Sequence, residues 1–408
     1  MKTSFPKDKI KVLLLEGVHP HAIELFRQAG YSDIESLPGT LSEDDLIAKI
    51  KGVHMLGIRS KSKLTARILQ QAAKLQAVGA FCIGTNGIDM PTATQNGIAV
   101  FNSPFSNTRS VAELVIAEII ILLRRIGDKN KTMHEGQWIK SSSNSFEARG
   151  KTLGIVGYGH IGAQVSVMAE ALGMKVLFYD VEQKLPMGNA VQAKSLDDLL
   201  KNSDVVTLHA PGHPSTKNLI NKNKLKMMKK GSLLINCSRG DLMDDVAVKQ
   251  SLEEKHLGGL GLDTFTNEPK TNKEPYDSIY RNLDNVFLTP HIGGSTVEAQ
   301  ANIGEDVAQK LVSYMDTGST VGSLSVPALN LPIQYDAHRL LHMHANVPGV
   351  MSEITTVLSG MKVNILAQFL KTNNQIGYVV TDIDKKTSPK VLDELRNVKH
   401  TIRVRSLY

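Results

Sequence analysis

Three side chains in the second half of the chain are of the types that hydride transfer between a secondary alcohol and a nicotinamide requires. Arg239 follows Asn236-Cys237-Ser238, Glu268 sits between Asn267 and Pro269, and His291 follows Thr289-Pro290. Such a reaction needs a base for the hydroxyl proton, a cation to hold a carboxylate and polarise the C–O bond, and a carboxylate to tune and orient the base. Histidine, arginine and glutamate supply one each. Spacing alone leaves three alternatives open: a surface arginine, an exposed turn glutamate, and a histidine that caps a turn. The two cysteines, Cys82 and Cys237, stand far apart without metal-ligand spacing, so neither a metal nor an oxidising compartment is implied.

A dinucleotide site upstream gives these groups a context. Leu153 to Val156 reads as a short buried strand and is followed by Gly157-Tyr158-Gly159-His160-Ile161-Gly162. A helical pattern runs through Ala171, Gly173 closes it, and a second strand from Lys175 to Tyr179 ends on Asp180. In a G-x-G-x-x-G turn the glycines allow a tight bend, close approach to a pyrophosphate, and close helix–strand packing. The helix directs its partly positive N-terminus at the phosphates. An acid about 20 residues on accepts from the ribose hydroxyls, and Asp180 stands there, repelling a 2′-phosphate and favouring NAD over NADP. Further strand signals at Val205 to His209, Ser232 to Asn236, Gly259 to Asp263 and Val286 to Thr289 end in polar residues that would line a cleft.

The first hundred residues also alternate strand and helix. Strands are expected at Ile10 to Leu15, weakly at Asp33 to Leu37, at His54 to Ile58 and at Leu75 to Gly79, with Ser42 and Thr65 as helix N-caps. This is an α/β unit with a parallel sheet, whose ligands lie at the C-terminal strand ends. Arg59-Ser60 and Gly84 to Asn86 fall there. Phe101-Asn102-Ser103-Pro104 reads as a turn. Val111 to Arg125 and Glu298 to about Met315 read as buried helices, and Gly318 to Pro332 as a linker. Trp138, the one tryptophan, is a candidate interface anchor or the cover of a domain edge. The tail reads βαββαβ, with strands at Leu340 to Ala345, Val363 to Leu370, Gly377 to Ile383 and Thr401 to Leu407. Its helices run from Pro348-Gly349 to about Leu358 and from Ser388 to Val398, a ferredoxin-like order.

At 408 residues two or three domains are expected. The net charge of +7 comes from 47 basic and 40 acidic residues that are scattered, which suits an anionic substrate and cofactor better than nucleic acid. The apolar run Leu114 to Leu123 is too short to span a bilayer and is broken by Glu118. The N-terminus does not read as a signal peptide, so a cytoplasmic protein is expected, with no membrane partner.

Taken together, Gly157 to Gly162, Asn236 to Gly240, Asp263 to Pro269 and Pro290 to Gly294 resemble the motifs of the D-isomer-specific 2-hydroxyacid dehydrogenases, over roughly residues 10 to 320. The tail resembles an ACT domain. The resemblance implies a doubly wound parallel Rossmann-type α/β sheet in residues 105–292 and a flavodoxin-like substrate domain formed by 1–104 and 293–330. A ferredoxin-like ACT α+β domain follows in 338–408. Arg239, Glu268 and His291 become the catalytic set. NAD is implied on Gly157, Gly159, His160, Ile161, Gly162 and Asp180. His209, Ala210, Pro211, Cys237, Ser238, Arg239, Asp263, His291 and Gly294 are implied along its remainder. Arg59, Ser60 and Asn107, from the other domain, would complete an anion site, and domain closure would exclude water.

Ser106 to Ser110 and Pro290 to Thr296 point within the family to members that oxidise 3-phospho-D-glycerate, with reduction of 2-oxoglutarate as a further activity. The tail implies control by L-serine at His344, Asn346 and, from a paired subunit, Asn364, in a homotetramer. Thr264 stands where the family often has valine, and Asp241 adds an acid near the site. Another D-2-hydroxy acid as substrate would leave Arg59 without a phosphate. A non-catalytic NAD-sensing scaffold is opposed by the complete Arg/Glu/His set.

Overall fold

A computed structural model of the chain describes residues 5–269, 274–332, 337–384 and 390–407. The chain forms two compact units, residues 1–106 with 300–408, and residues 107–299.

In the first unit, strands β1 (Val12–Leu14), β2 (Ile34–Ser36), β3 (Met55–Ile58), β4 (Ala77–Ala80) and β5 (Ala99–Asn102) form one parallel sheet. Its order, β2-β1-β3-β4-β5, is the flavodoxin-like order. Every residue of β1, β3, β4 and β5 is buried, as expected for strands covered by helices on both faces. Ser42 and Thr65 cap their helices as expected, accepting from Asp45 N and Ile68 N. Asp89 caps a further helix, Met90–Gln95, by accepting from Thr92 N at 3.0 Å. The expected turn at Phe101-Asn102 is instead the end of β5. Asn and Pro suggested a turn, but tertiary pairing with β4 holds the segment extended.

The expected linker, Gly318 to Pro332, is packed structure. Leu324 N donates to Val100 O, and Ser325 Oγ accepts from Val100 N and donates to Ile98 O, so the segment covers the outer edge of β5. Its Gly, Ser and Pro content suggests a linker, yet here the Ser325 hydroxyl and the Leu324 N–H satisfy an otherwise open strand edge.

The tail forms β13 (His338–Ala345), β14 (Ile365–Thr372), β15 (Ile376–Ile383) and β16 (Thr401–Leu407), an antiparallel sheet of order β14-β15-β13-β16. Helices Val350–Gly360 and Lys390–Asn397 cover one face; the expected helix start at Ser388 lies outside the described residues. The other face joins the core of the first unit, where Leu341, Met343, Tyr378 and Leu407 pack with Val12, Phe101, Leu311 and Tyr314. Arg339, 3% exposed, pairs with the fully buried Asp382 at 2.7 and 2.8 Å and donates to Thr317 O.

In the second unit, seven parallel strands are β6 (Thr152–Val156), β7 (Lys175–Tyr179), β8 (Val191–Gln192), β9 (Val205–Leu208), β10 (Ser232–Asn236), β11 (Leu257–Leu262) and β12 (Val286–Leu288). Their order, β12-β11-β10-β9-β6-β7-β8, reverses between β6 and β9. That is the Rossmann arrangement, which places a dinucleotide at the switch point. Helix Thr108–Arg124 buries Val111, Val115, Ile119 and Leu122 against this sheet, and it buries Glu118 as well. Trp138 is 81% exposed and packs no core in its unit. Among the described residues no helix is long and apolar enough to cross a membrane.

Candidate active site

The C-terminal ends of β6, β9, β10, β11 and β12 carry the candidate groups. Gly157 has φ +96, and a Cβ there would lie 2.6 Å from the His209 carbonyl oxygen, so the turns after β6 and β9 touch. At Gly162 a Cβ would collide with the Gly157 carbonyl oxygen. Gly159 differs, because a Cβ there would meet no atom within 4 Å. Helix His160–Ala171 starts at this point without a side-chain cap. Two glycines thus serve the protein's own packing, while the middle one leaves open room at a helix N-terminus. This fits a pyrophosphate. Asp180 holds the turn as well, since its carboxylate accepts from Tyr158 N at 2.8 Å and Glu182 N at 3.1 Å. Tyr158, not singled out in the sequence, is buried, stacks on Phe178 at 3.9 Å and donates to Ser166 Oγ. His160 is exposed and Ile161 partly buried.

After β10 the chain turns sharply. Asn236 Nδ2 donates to Arg239 O and its Oδ1 accepts from Ser238 N, while Ser238 Oγ donates to Leu208 O. Arg239 is exposed, donates to Ser238 O at 2.7 Å and has no ion pair among the described residues. The loop after β9 lies beside it, because a Cβ on Gly212 would be 3.2 Å from the Arg239 side chain. In that loop His209 donates or accepts at Thr207 Oγ1, and burial pushes its pKa down to about 4, so its ring is neutral. Ala210 is partly buried and Pro211 exposed.

His291 Nδ1 lies 2.8 Å from Glu268 Oε2. Glu268 Oε1 accepts from Phe265 N at 3.1 Å. The bond to Glu268 raises the His291 pKa, against burial and the charge of Arg239, which act the other way. Burial pushes Glu268 up. The bonds from His291 and Phe265 N, with the charges of His291 and Arg239, outweigh it and hold the carboxyl below its ordinary value. His291 sits in the left-handed region at φ +54. Asp263, 1% exposed, holds this strained loop in place by accepting from Thr289 Oγ1, Ile292 N and Gly293 N, each at 2.7 Å. Sequence reasoning placed Asp263 only along the cofactor, and its clamp on the histidine loop had no local signal. Gly294 packs against Asn107, whose Oδ1 is buried without a partner among the described residues.

Asn107, grouped in sequence with Arg59 and Ser60 for the anion site, lies in the unit of Arg239 and His291, where the bounds 105–292 also put it, and not in the unit of Arg59 and Ser60. Arg59 and Ser60 follow β3 in the first unit. Arg59 is partly buried and Ser60 exposed, and neither has an ion pair among the described residues. In the tail, His344 is 2% exposed, its Nδ1 bonds Ala345 O, and its Nε2 is buried without a partner among the described residues. Asn346 is exposed and donates to Asn373 O at 2.7 Å, and Asn364 is exposed just before β14. Among the described residues no group of His, Cys, Asp and Glu could hold a metal ion.

The sequence matches the family model for the D-isomer specific 2-hydroxyacid dehydrogenase NAD binding domain over residues 116–293, and an AHAS small subunit-like ACT domain over 340–403. It is 51% identical, over the whole of both chains, to D-3-phosphoglycerate dehydrogenase of Escherichia coli K12. It is 46% identical to that of Dictyostelium discoideum, over all of this chain and 99% of the relative. Among solved structures, D-2-hydroxyisocaproate dehydrogenase superposes with a TM-score of 0.68 at 26% identity, covering 78% of this chain and all of the other. D-lactate dehydrogenase from Aquifex aeolicus, complexed with NAD and lactic acid, superposes at 0.64 and 27% identity over the same shares. The chain belongs to the D-isomer specific 2-hydroxyacid dehydrogenase family, in the branch that its D-3-phosphoglycerate dehydrogenase relatives define. It is an NAD-dependent oxidoreductase with a C-terminal ACT domain.

Proposed function

We propose that the chain oxidises 3-phospho-D-glycerate to 3-phosphohydroxypyruvate, the first step of L-serine formation. The observation that carries this is the His291–Glu268 bond of 2.8 Å beside Arg239, at the strand ends of a nucleotide sheet whose full-length relatives are D-3-phosphoglycerate dehydrogenases. Arg239 holds the substrate carboxylate and polarises the C–O bond. His291 takes the hydroxyl proton at its Nε2, and Glu268 stabilises the resulting imidazolium through Nδ1. NAD, which the Gly157 to Gly162 turn and Asp180 would hold, would supply the acceptor for the hydride at C2. Asp263 keeps the histidine loop in its left-handed conformation, and Asn107 offers a buried oxygen to the same neighbourhood. Arg59 and Ser60 bind the phosphate, which sets this substrate apart from unphosphorylated 2-hydroxy acids.

L-Serine, bound at His344 and Asn346 and completed by Asn364 of a second copy in a homotetramer, shifts the enzyme toward a less active arrangement. A ligand moves an equilibrium only through differential affinity, and a separate domain lets a product unlike the substrate exert it. The test is NADH oxidation with 3-phosphohydroxypyruvate, with and without L-serine. Turnover of this keto acid well above hydroxypyruvate, suppressed by serine, is expected. Equal use of the two keto acids would refute the substrate assignment.

A further inference from the structure

The turn that follows β1 contains an unusual residue. Glu16 and Gly17 are both left-handed, with φ +64 and +61. Glycine adopts that region freely, whereas a glutamate must be held there. Main-chain bonds do so, from Glu16 N to Gly39 O at 3.0 Å and from Gly17 N to Leu37 O at 2.9 Å.

The consequence of this turn is where the Glu16 carboxylate goes. It reaches the segment after β3. Its Oε1 accepts from Arg59 N at 3.0 Å and Ser62 N at 2.8 Å, and its Oε2 accepts from Lys61 N at 2.9 Å. One carboxylate thus ties down three of the four residues from Arg59 to Ser62. The neighbouring turn closes on the same segment, since a Cβ on Gly87 would lie 2.6 Å from Ser62 O.

A carboxylate beside an anion site would ordinarily repel the anion. Here its oxygens are occupied by N–H donors, which offset its charge. The Arg59 guanidinium makes no ion pair with it or with any other described residue, its contact being Nη1 to the Glu16 main-chain oxygen at 3.5 Å. The cation is left available while its main chain is fixed.

We infer that Glu16 is a positioning residue for the phosphate end of the substrate, acting through the main chain of the Arg59–Ser62 segment. The inference rests on the phosphate-binding role given above to Arg59 and Ser60. A bound phosphate gains most from Arg59 and Ser60 when their main chain is already ordered. The left-handed backbone kept at Glu16 is accounted for by this tie.

The test compares reduction of 3-phosphohydroxypyruvate and hydroxypyruvate by the full-length wild type, E16Q, E16G and R59A. E16Q keeps the shape but opposes an amide N–H to Lys61 N. E16G relieves the left-handed strain and removes the carboxylate. In both, KM for the phosphorylated acid should rise about tenfold, with kcat and the KM for hydroxypyruvate nearly unchanged. The ratio of the two KM values within one variant does not depend on the folded fraction, so a partly unfolded variant still reports. If R59A loses the preference for phosphate but E16Q and E16G keep it, or if they lower kcat equally for both acids, Glu16 is a structural clamp and the inference is overturned. If R59A itself keeps the preference, the phosphate-binding reading fails and takes this inference with it. The R59A measurement separates the two failures.

Discussion

The His291–Glu268 pair makes a prediction about pH. Reduction of the keto acid needs protonated His291, and Glu268 raises its pKa. Reductive activity should therefore fall as pH rises through that raised pKa. Glu268→Gln removes the charge, so the fall should move to lower pH, read from kcat/KM for reduction under conditions where chemistry is rate-limiting. An unmoved profile would separate the pair from the proton transfer. Glu118 makes a second prediction, on stability. It is fully buried, accepts from Cys237 Sγ at 3.4 Å, and its Oε1 has no partner among the described residues. Burial pushes its pKa up to about 8, the bond from Cys237 opposing. The folded state then binds a proton that the unfolded state releases above an ordinary glutamate pKa. Stability from this group is complete below that ordinary value and is lost as pH rises toward 8. Glu118→Gln should flatten the decline of Tm across that window, and an unchanged slope would show that the acid is charged in the fold.

The turn after β6 can be dissected glycine by glycine. A Cβ at Gly159 meets nothing within the protein, whereas one at Gly162 collides with the Gly157 carbonyl. Gly159→Ala should therefore leave Tm close to wild type while weakening NADH binding at least about tenfold, because the added methyl occupies the pyrophosphate's room. Gly162→Ala should lower stability itself, by roughly 1–3 kcal/mol, through overpacking of helix on strand. Thermal melts and NADH titration of the two variants distinguish these outcomes. Equal losses of Tm would mean that the middle glycine also serves the fold. This element was legible in sequence because strand, turn, helix and acid are contiguous. β5 was not, since Asn102 and Pro104 suggest a turn and only β4 alongside holds the segment extended.

For the whole molecule, packing of the tail changes which experiment is informative. Removing everything after Pro332 would seem to isolate the catalytic part. Yet Leu341, Met343, Ile376, Tyr378, Val380 and Leu407 share one core with the first sheet. Their loss exposes apolar surface, so the truncated chain should melt lower and aggregate. Arg339→Met should destabilise by about 3–5 kcal/mol, because it leaves Asp382 buried and unpaired, and chemical denaturation would measure this. Serine control is better tested by Asn346→Ala and Asn364→Ala, which should weaken inhibition while turnover without serine persists. Full inhibition in both variants would place the effector elsewhere.

Local physics made much of the protein readable from the chain alone. The glycine turn with its acid, the helix caps at Ser42 and Thr65, the alternation of strand and helix, and the βαββαβ tail each depend on residues close in sequence. Which polar strand ends were candidates followed from the same alternation. Tertiary structure decided the rest. Glu268 and His291 are 23 residues apart in sequence and meet because β11 and β12 are neighbours. Asp263 clamps a loop that begins after the next strand, and Glu16 reaches a segment more than 40 residues away. The Gly-, Ser- and Pro-containing stretch from Gly318 to Pro332 is ordered by the open edge of β5 and by burial of Val326 and Leu331 in the core beside it, partners its own sequence does not reveal. In each case the deciding interactions include a non-local hydrogen bond whose partner is set by strand order.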